Sequence, residues 1–271
     1  MKAIRSTILA LFAGLTLLMP SLLFESFAQE GALKPQGDSA ITTKTPASDP
    51  LAITKKGQGD SSEMPLYKAP LRGAPGGRLS GGTRGTQSKM PAFAFLAPRH
   101  TGLTFSEQPT LYWYSSETAK FPVDLTILMG KEMKSILQVR IADETRAGFH
   151  PIHLTDHGIH LQTGVVYQCF VSMVTDPKHP SKDIISGGAI ERIACPKNFQ
   201  KTLKETDSKR IPLVYAEEGI WYDAMNALCS RIDAAPHDSL PYQQRISLLR
   251  QGDLTEAADY EMEHGAPAPR P

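Results

Sequence analysis

Apolar residues recur along this chain with two different periods, and the change falls near Pro196. From Met90 to about Ala194 they alternate with polar residues or sit in short runs, as β-strands require. Residues 92–96 form a short apolar run, and 103–105 and 110–114 flank Pro109. Residues 121–128 alternate, with Val123, Leu125 and Ile127 on one face, and 136–141 alternate through Ile136, Val139 and Ile141. Residues 149–154 follow a turn at Ala147-Gly148, 165–174 make the strongest strand, and 184–193 close the series. Seven or eight short strands at roughly ten-residue spacing, with no helical stretch between them, predict an antiparallel sandwich. Within the run from Gly102 to Tyr114, Leu111 and Trp113 are expected on one face, in the core, and Tyr112 and Tyr114 on the other.

One spacing sharpens the type of sandwich. Leu161, Gly164 and Tyr167 stand as in a tyrosine corner, where a tyrosine opening a strand hydrogen-bonds back to the preceding turn. Cys169 lies two residues on, where an immunoglobulin domain has its second disulfide cysteine, but no cysteine lies upstream to pair with it. The likeness is therefore to the fibronectin-like members of the immunoglobulin class.

After Pro196 the period becomes 3.6. Phe199 and Leu203 predict a weak first helix, and Leu213, Val214, Ile220, Trp221, Ala224, Leu228 and Ile232 make an amphipathic stripe. Gly219-Ile220-Trp221-Tyr222-Asp223-Ala224 is echoed 33 residues later by Gly252-Asp253-Leu254-Thr255-Glu256-Ala257. Glycine for the turn, a bulky residue two positions later and an alanine five positions later fit the joint of a tetratricopeptide-like hairpin. Pro212 predicts a short or broken first helix. Two such hairpins are fewer than an independent array needs, so they are expected to lean on the sandwich or on a partner. The fold class is thus mainly β with an α-helical C-terminal part: an immunoglobulin- or fibronectin-like antiparallel sandwich, then tetratricopeptide-like helical hairpins.

The ends are of another kind. Lys2 and Arg5 precede an apolar stretch from Ile8 to Phe24, and Ser26-Phe27-Ala28 supplies small residues for cleavage. Residues 1–28 therefore read as a secretory signal peptide, with Gly14 and Pro20 arguing against a retained anchor. After its removal no transmembrane segment is expected. Residues 29–89 hold one aromatic, Tyr67, among many Gly, Pro, Ser, Thr and Lys. Such a segment buries too little apolar area to offset its ordering entropy and is expected to be a disordered leader. The sandwich is expected over 90–195, the helical cap over 196–264, and a disordered Ala-Pro-rich tail over 265–271.

Charge and reactive side chains add little chemistry. A net charge of +1 gives no field for nucleic acid. The three cysteines are Cys169, Cys195 and Cys229; in an exported protein Cys169 and Cys195 are the candidate disulfide pair, the alternative being buried free thiols. His150, His153, His157 and His160 cluster in sequence. Alternation sends His150 and His153 to opposite faces, so His157 and His160, around Gly158, are the weak metal candidates. Glu217 and Glu218 are adjacent and diverge on a helix, Cys229 reads as core, and no nucleophile elbow occurs. No catalytic residue and no cofactor are assigned. Trp221 and Tyr222 are candidate interaction residues, with core packing as the alternative.

Taken together, these pieces resemble the domain of unknown function 928, a family found mainly in cyanobacteria. The resemblance runs from about Arg72 to Ala257. It rests on Gly73-Ala74-Pro75-Gly76, Gly82-Thr83-Arg84-Gly85, Gly102-Leu103-Thr104 to Tyr112-Trp113-Tyr114, Leu161 to Tyr167, Ile190-Glu191-Arg192-Ile193, and Ala216-Glu217-Glu218-Gly219-Ile220-Trp221-Tyr222-Asp223-Ala224. The family typically has a cysteine just after the Gly-Thr-Arg-Gly run, where this chain has Gln87 and Ser88. The resemblance implies export and carries over no catalytic residue.

The reading that follows is an exported, non-catalytic binding or adaptor protein of the cell envelope, periplasmic or extracellular, whose partner is another envelope protein. The alternatives are an envelope hydrolase with its site at the sandwich-helix junction, and a periplasmic metal-binding protein acting through the histidines.

Overall fold

The computed structural model describes residues 63–70, 79–80 and 90–265. The expected signal peptide, most of the expected leader and residues 266–271 of the expected tail lie outside the described residues. Among them, nine strands precede five helices. The strands are β1 (Leu79–Ser80), β2 (Phe93–Phe95), β3 (Gly102–Thr104), β4 (Thr110–Ser115), β5 (Val123–Met129), β6 (Lys134–Ala142), β7 (Gly148–His153), β8 (Val166–Met173) and β9 (Ile184–Arg192). The helices are α1 (Lys197–Glu205), α2 (Ile211–Glu217), α3 (Trp221–Ala234), α4 (Ser239–Gln251) and α5 (Thr255–His264). A mainly β protein with a helical C-terminal part is what the two periods imply.

The strands form two sheets. One runs β2-β4-β7; the other runs β1-β9-β8-β5-β6, with β3 also paired to β9. Side chains in register share a face, so Val123, Leu125 and Ile127 of β5 line up with Met173, Val171 and Cys169 of β8. Tyr167 and Met173 of β8 continue that face onto Ile190 and Ile184 of β9. All nine are buried and form the inward side of the larger sheet. The expectation of purely antiparallel pairing is corrected at one place: β3 runs parallel to β9, Gly102 opposite Ile190. The chain leaves β2 in one sheet, passes Pro98 and enters β3 in the other, where it travels alongside the last strand.

The smaller sheet is buried on both sides. Phe95, Trp113 and His150 share the face toward the larger sheet, and Tyr114 and Phe149 share the opposite one. The second face carries helices: the Tyr112 hydroxyl donates to Asn226 Oδ1 at 3.0 Å, and Tyr114 packs edge-on against Tyr260 at 5.2 Å. The two-face assignment of Leu111 and Trp113 against Tyr112 and Tyr114 is the observed one, and both faces are core. Layering is therefore sheet, sheet, helices, with β4 in the middle.

At the start of β8 the Gln162 N–H donates to the Tyr167 hydroxyl at 2.9 Å. Tyr167 is buried, and Gly164 turns the chain with φ +78°. This is the back-bond expected from the Leu161, Gly164, Tyr167 spacing.

The helices pack as two hairpins, α2 with α3 and α4 with α5. Gly219 (φ +78°) makes the first turn, and a Cβ there would come within 2.5 Å of the Lys68 carbonyl oxygen. Gly252 makes the second, where a Cβ would land on the Trp221 indole ring. Ala224 and Ala257, five residues after each glycine, are buried. α2 has seven residues, as short as Pro212 predicts. The hairpins lean on the sandwich: the Trp221 indole N–H donates to the Leu96 carbonyl at 2.9 Å, and the Tyr222 hydroxyl to the Ala189 carbonyl at 3.1 Å. One hydrophobic core runs through both parts.

The expected disordered leader is corrected in two places. Residues 79–80 form β1 on the edge of β9. Residues 63–70 form an extended strap across the helices. Gln244 Nε2 donates to the Glu63 carbonyl at 2.5 Å and Gln251 Nε2 to the Pro65 carbonyl at 2.8 Å. The Tyr67 N–H donates to Gln251 Oε1 at 2.7 Å, and the Lys68 N–H to the Ala216 carbonyl at 3.1 Å. Composition counts apolar area; this strap is held largely through its backbone, which composition does not record.

Candidate functional site

Where the sandwich meets α3, the first turn of the helix faces the segment from Thr104 to Thr110. A polar cleft of about 70 Å³ opens there, lined by Thr104, Ser106, Gln108, Asp223 and Asn226. Asp223 lies at the third helical position, where the α3 N-terminus favours negative charge. Its carboxylate accepts the Phe105 N–H at 3.2 Å. Burial nevertheless prevails: desolvation pushes the carboxyl up to about 6, against the Thr104 and backbone hydrogen bonds that lower it.

A carboxyl near pKa 6 is the kind of group that moves protons. Its neighbours do not complete a reaction. Asn226 is spent on the Tyr112 hydroxyl, and burial raises the Cys195 thiol, with the Asp223 charge adding to the shift. The cleft has room for a few water molecules only, well short of the roughly 300–1,000 Å³ of small-molecule sites. A second, open cleft of about 290 Å³ lies between β2 and the α4–α5 turn and is crossed by the exposed Arg99–Asp253 ion pair.

The four histidines go to separate surroundings. His150 stacks on Trp113 at 4.2 Å and bonds the Arg146 carbonyl at 2.8 Å. His153 Nδ1 meets the Thr110 hydroxyl at 3.1 Å. His160 Nδ1 meets Glu107 Oε1 at 2.9 Å, and that hydrogen bond, with Arg192 nearby, lowers the Glu107 carboxyl. His157 ends a short 3₁₀ turn, Leu154–His157, before Gly158. Among the described residues no group of three or more His, Cys, Asp or Glu side chains is placed to hold a metal ion.

All three cysteines are free, so the candidate Cys169–Cys195 disulfide is not formed. Register explains this. Cys169 sits opposite Gly188 in β9, whereas Cys195 lies beyond the end of that strand at Arg192. Four residues of strand alone span about 13 Å, and a disulfide needs Cα atoms within about 7 Å.

Trp221 and Tyr222, the candidate interaction residues, are buried in the chain's own core. Their rings fill the junction and their polar atoms bond the Leu96 and Ala189 carbonyls; Trp221 also meets the chain's own Tyr67. Cys229, read as core, is buried beside Arg245, whose guanidinium reaches its Sγ at 3.3 Å. Desolvation still raises that thiol, so it is no thiolate nucleophile. Arg245 is paired with buried Glu261 at 2.5 Å and lies over the Phe149 ring at 4.3 Å, a bolt between α4, α5 and β7.

At the strap groove this chain grips a polypeptide segment across its surface. The groove is bounded by α4, the end of α2 and the start of α3. Tyr67 inserts there edge-on against Trp221 at 5.1 Å and stacks on His100 at 5.7 Å, its hydroxyl 2.7 Å from His100 Nε2. The two glutamines were not singled out from the sequence. Their seven-residue spacing, two helical turns, is the signal that places both amides on one face of α4.

No match was found among curated proteins. A family model does match, over residues 79–262, a stretch that takes in both sheets, all of the grooved face of the helices and most of α5. That match covers more than half of the chain, and the chain belongs to the family called Domain of Unknown Function, DUF928.

Proposed function

We propose that this is a non-catalytic binding or adaptor protein of the cell envelope, exported by a signal peptide at residues 1–28, with another envelope protein as its partner. The observation that carries the reading is the strap groove: side-chain amides on α4 hold the main chain of an extended segment. That is a way of binding polypeptide, and a scaffold of sheets and hairpins presents it rigidly.

The finer architecture belongs to the same reading. The sandwich is immunoglobulin-like: what supports it is β2-β4-β7 facing a sheet in which β8 lies between β5 and β9, β3 crossing over to β9, and the Tyr167 corner. The hairpins are tetratricopeptide-like, supported by the 33-residue offset of Gly219 and Gly252 and the buried alanines that follow.

The hydrolase alternative has Asp223 in its favour, and the small cleft without a partnered base or nucleophile against it. The metal alternative has His157 and His160, and among the described residues lacks a converging third ligand. Photo-crosslinking tests the adaptor reading. A photoreactive residue at Ser247, next to the groove, is expected to trap a specific envelope protein in intact cells. Trapping of nothing, from protein that is folded and exported, would refute it.

A further inference from the structure

The strap is bound in a manner that separates what any peptide supplies from what this peptide supplies. Four of its hydrogen bonds use main-chain atoms: the Glu63 and Pro65 carbonyls, and the Tyr67 and Lys68 N–H groups. Gln251 alone takes both a carbonyl and an N–H two residues apart, reading the extended backbone and not the side chains. Two side chains, Pro65 and Tyr67, anchor its centre. Pro65 is buried and Tyr67 is partly buried between Trp221 and His100, while Leu66 is 59 % exposed and Lys68 points to solvent. In and out alternate, as in a strand lying on a surface. Proline pre-sets the extended conformation and lowers the entropy cost of binding.

The groove residues His100, Ala216, Trp221, Gln244 and Gln251 all fall within residues 79–262, and the strap falls before them. The receptor surface and its occupant are thus separate stretches of chain.

We propose that this groove is a recognition site for extended peptides with an aromatic residue two positions after a proline, filled here by the chain's own Pro65-Leu66-Tyr67 and open to a partner polypeptide carrying the same pattern. The inference rests on the adaptor reading for the existence of a foreign partner, and specifies that partner's chemistry. In cis the strap competes as a tethered ligand, whose effective concentration is on the order of millimolar. A partner therefore wins by local abundance or by a tighter match at the two anchor positions, and the strap sets the threshold.

The test uses the full chain and a fluorescent peptide of residues 61–70, followed by anisotropy. Wild-type chain and a Tyr67→Ala chain, whose own strap has lost its anchor, are titrated in parallel. The peptide is expected to bind the Tyr67→Ala chain at least tenfold more tightly than wild type. Adding Gln251→Ala, a substitution at the end of α4, is expected to cost at least tenfold of that affinity, as is Tyr67→Ala in the peptide itself. No saturable binding to a folded Tyr67→Ala chain at about 1 mM peptide would overturn the proposal. So would equal binding to both chains that ignores Gln251→Ala, which would place the peptide elsewhere. A wild-type dimer abolished by Tyr67→Ala would give the groove to a second copy and overturn the foreign partner. A negative peptide result would leave the crosslinking test at Ser247 free to succeed, so the two readings fail separately.

Discussion

Replacing Asp223 by asparagine keeps the shape of the junction and removes its ionisation. The Asn Oδ1 can still accept the Phe105 N–H that Asp223 accepts at 3.2 Å. Desolvation raises the folded-state carboxyl from an ordinary 3.8 to about 6. The folded chain then keeps its proton up to about pH 6, while the unfolded chain releases it near pH 4. Below pH 4 both states are protonated and the group costs nothing. Between pH 4 and 6 wild type loses stability as pH rises, and above pH 6 the full cost is present. A difference of roughly two units corresponds to about 3 kcal/mol. Asp223 keeps part of its surface in water, so about 1–2 kcal/mol at pH 7.5 is the expected size, with 3 as the ceiling. Urea unfolding of wild type and Asp223→Asn at half-unit steps from pH 4 to 8 measures it. The variant's advantage should grow by that amount up to pH 6.5 and then level off. An advantage independent of pH, or a wild type that gains stability over this range, would refute the argument that burial outweighs the helix N-terminus and the hydrogen bonds.

Three further outcomes are expected. Gly252→Ala drives a methyl into the Trp221 ring, which is fully buried and cannot swing away, so the urea midpoint should fall by an amount equivalent to about 2–3 kcal/mol. Arg245→Met leaves Glu261 charged and buried and should cost about 3–5 kcal/mol, while the double variant with Glu261→Gln should recover much of it; a thermal-unfolding cycle of the four chains reads the difference. A thiol reagent should modify one cysteine of the native protein rapidly, Cys195, and all three in urea, because Cys169 and Cys229 are buried; fast loss of all three thiols from folded protein would contradict the core packing.

The strands were legible because burial on one face writes a period of two, and the eight predicted windows from 92 to 193 each hold an observed strand. The glycine turns were legible because a close approach to Lys68 or Trp221 leaves no room for a side chain, and such a demand marks the sequence. β4 was legible in its two-face alternation, but the helices that cover its outer face leave no mark beyond the aromatics themselves. The buried state of Trp221 and Tyr222 was offered only as an alternative, since an aromatic pair reads alike as core and as contact surface. Asp223 lies inside a motif quoted for the family, yet the burial that raises its pKa, and the Thr104 and Phe105 hydrogen bonds that oppose it, come from tertiary packing against residues more than a hundred positions away in sequence. The strap was missed outright. Amide-to-backbone hydrogen bonds impose no composition on the bound segment, so a short stretch with two prolines and one aromatic, set among Gly, Ser, Thr and Lys, can be ordered without looking so.

The position of β9 dictates a timetable. That strand is the shared neighbour of β1, β3 and β8, so residues 79–80 and 102–104 wait for residues 184–192 before they can pair. Leu96 waits longer still, since its carbonyl is satisfied by Trp221. Closure of the larger sheet and docking of α3 are thus late, non-local events, the slow kind. A ribosome releasing this chain holds an open sheet until residues 184–192 have emerged. Such a chain stays threadable for most of its birth, which suits a polypeptide proposed to cross a membrane before it folds.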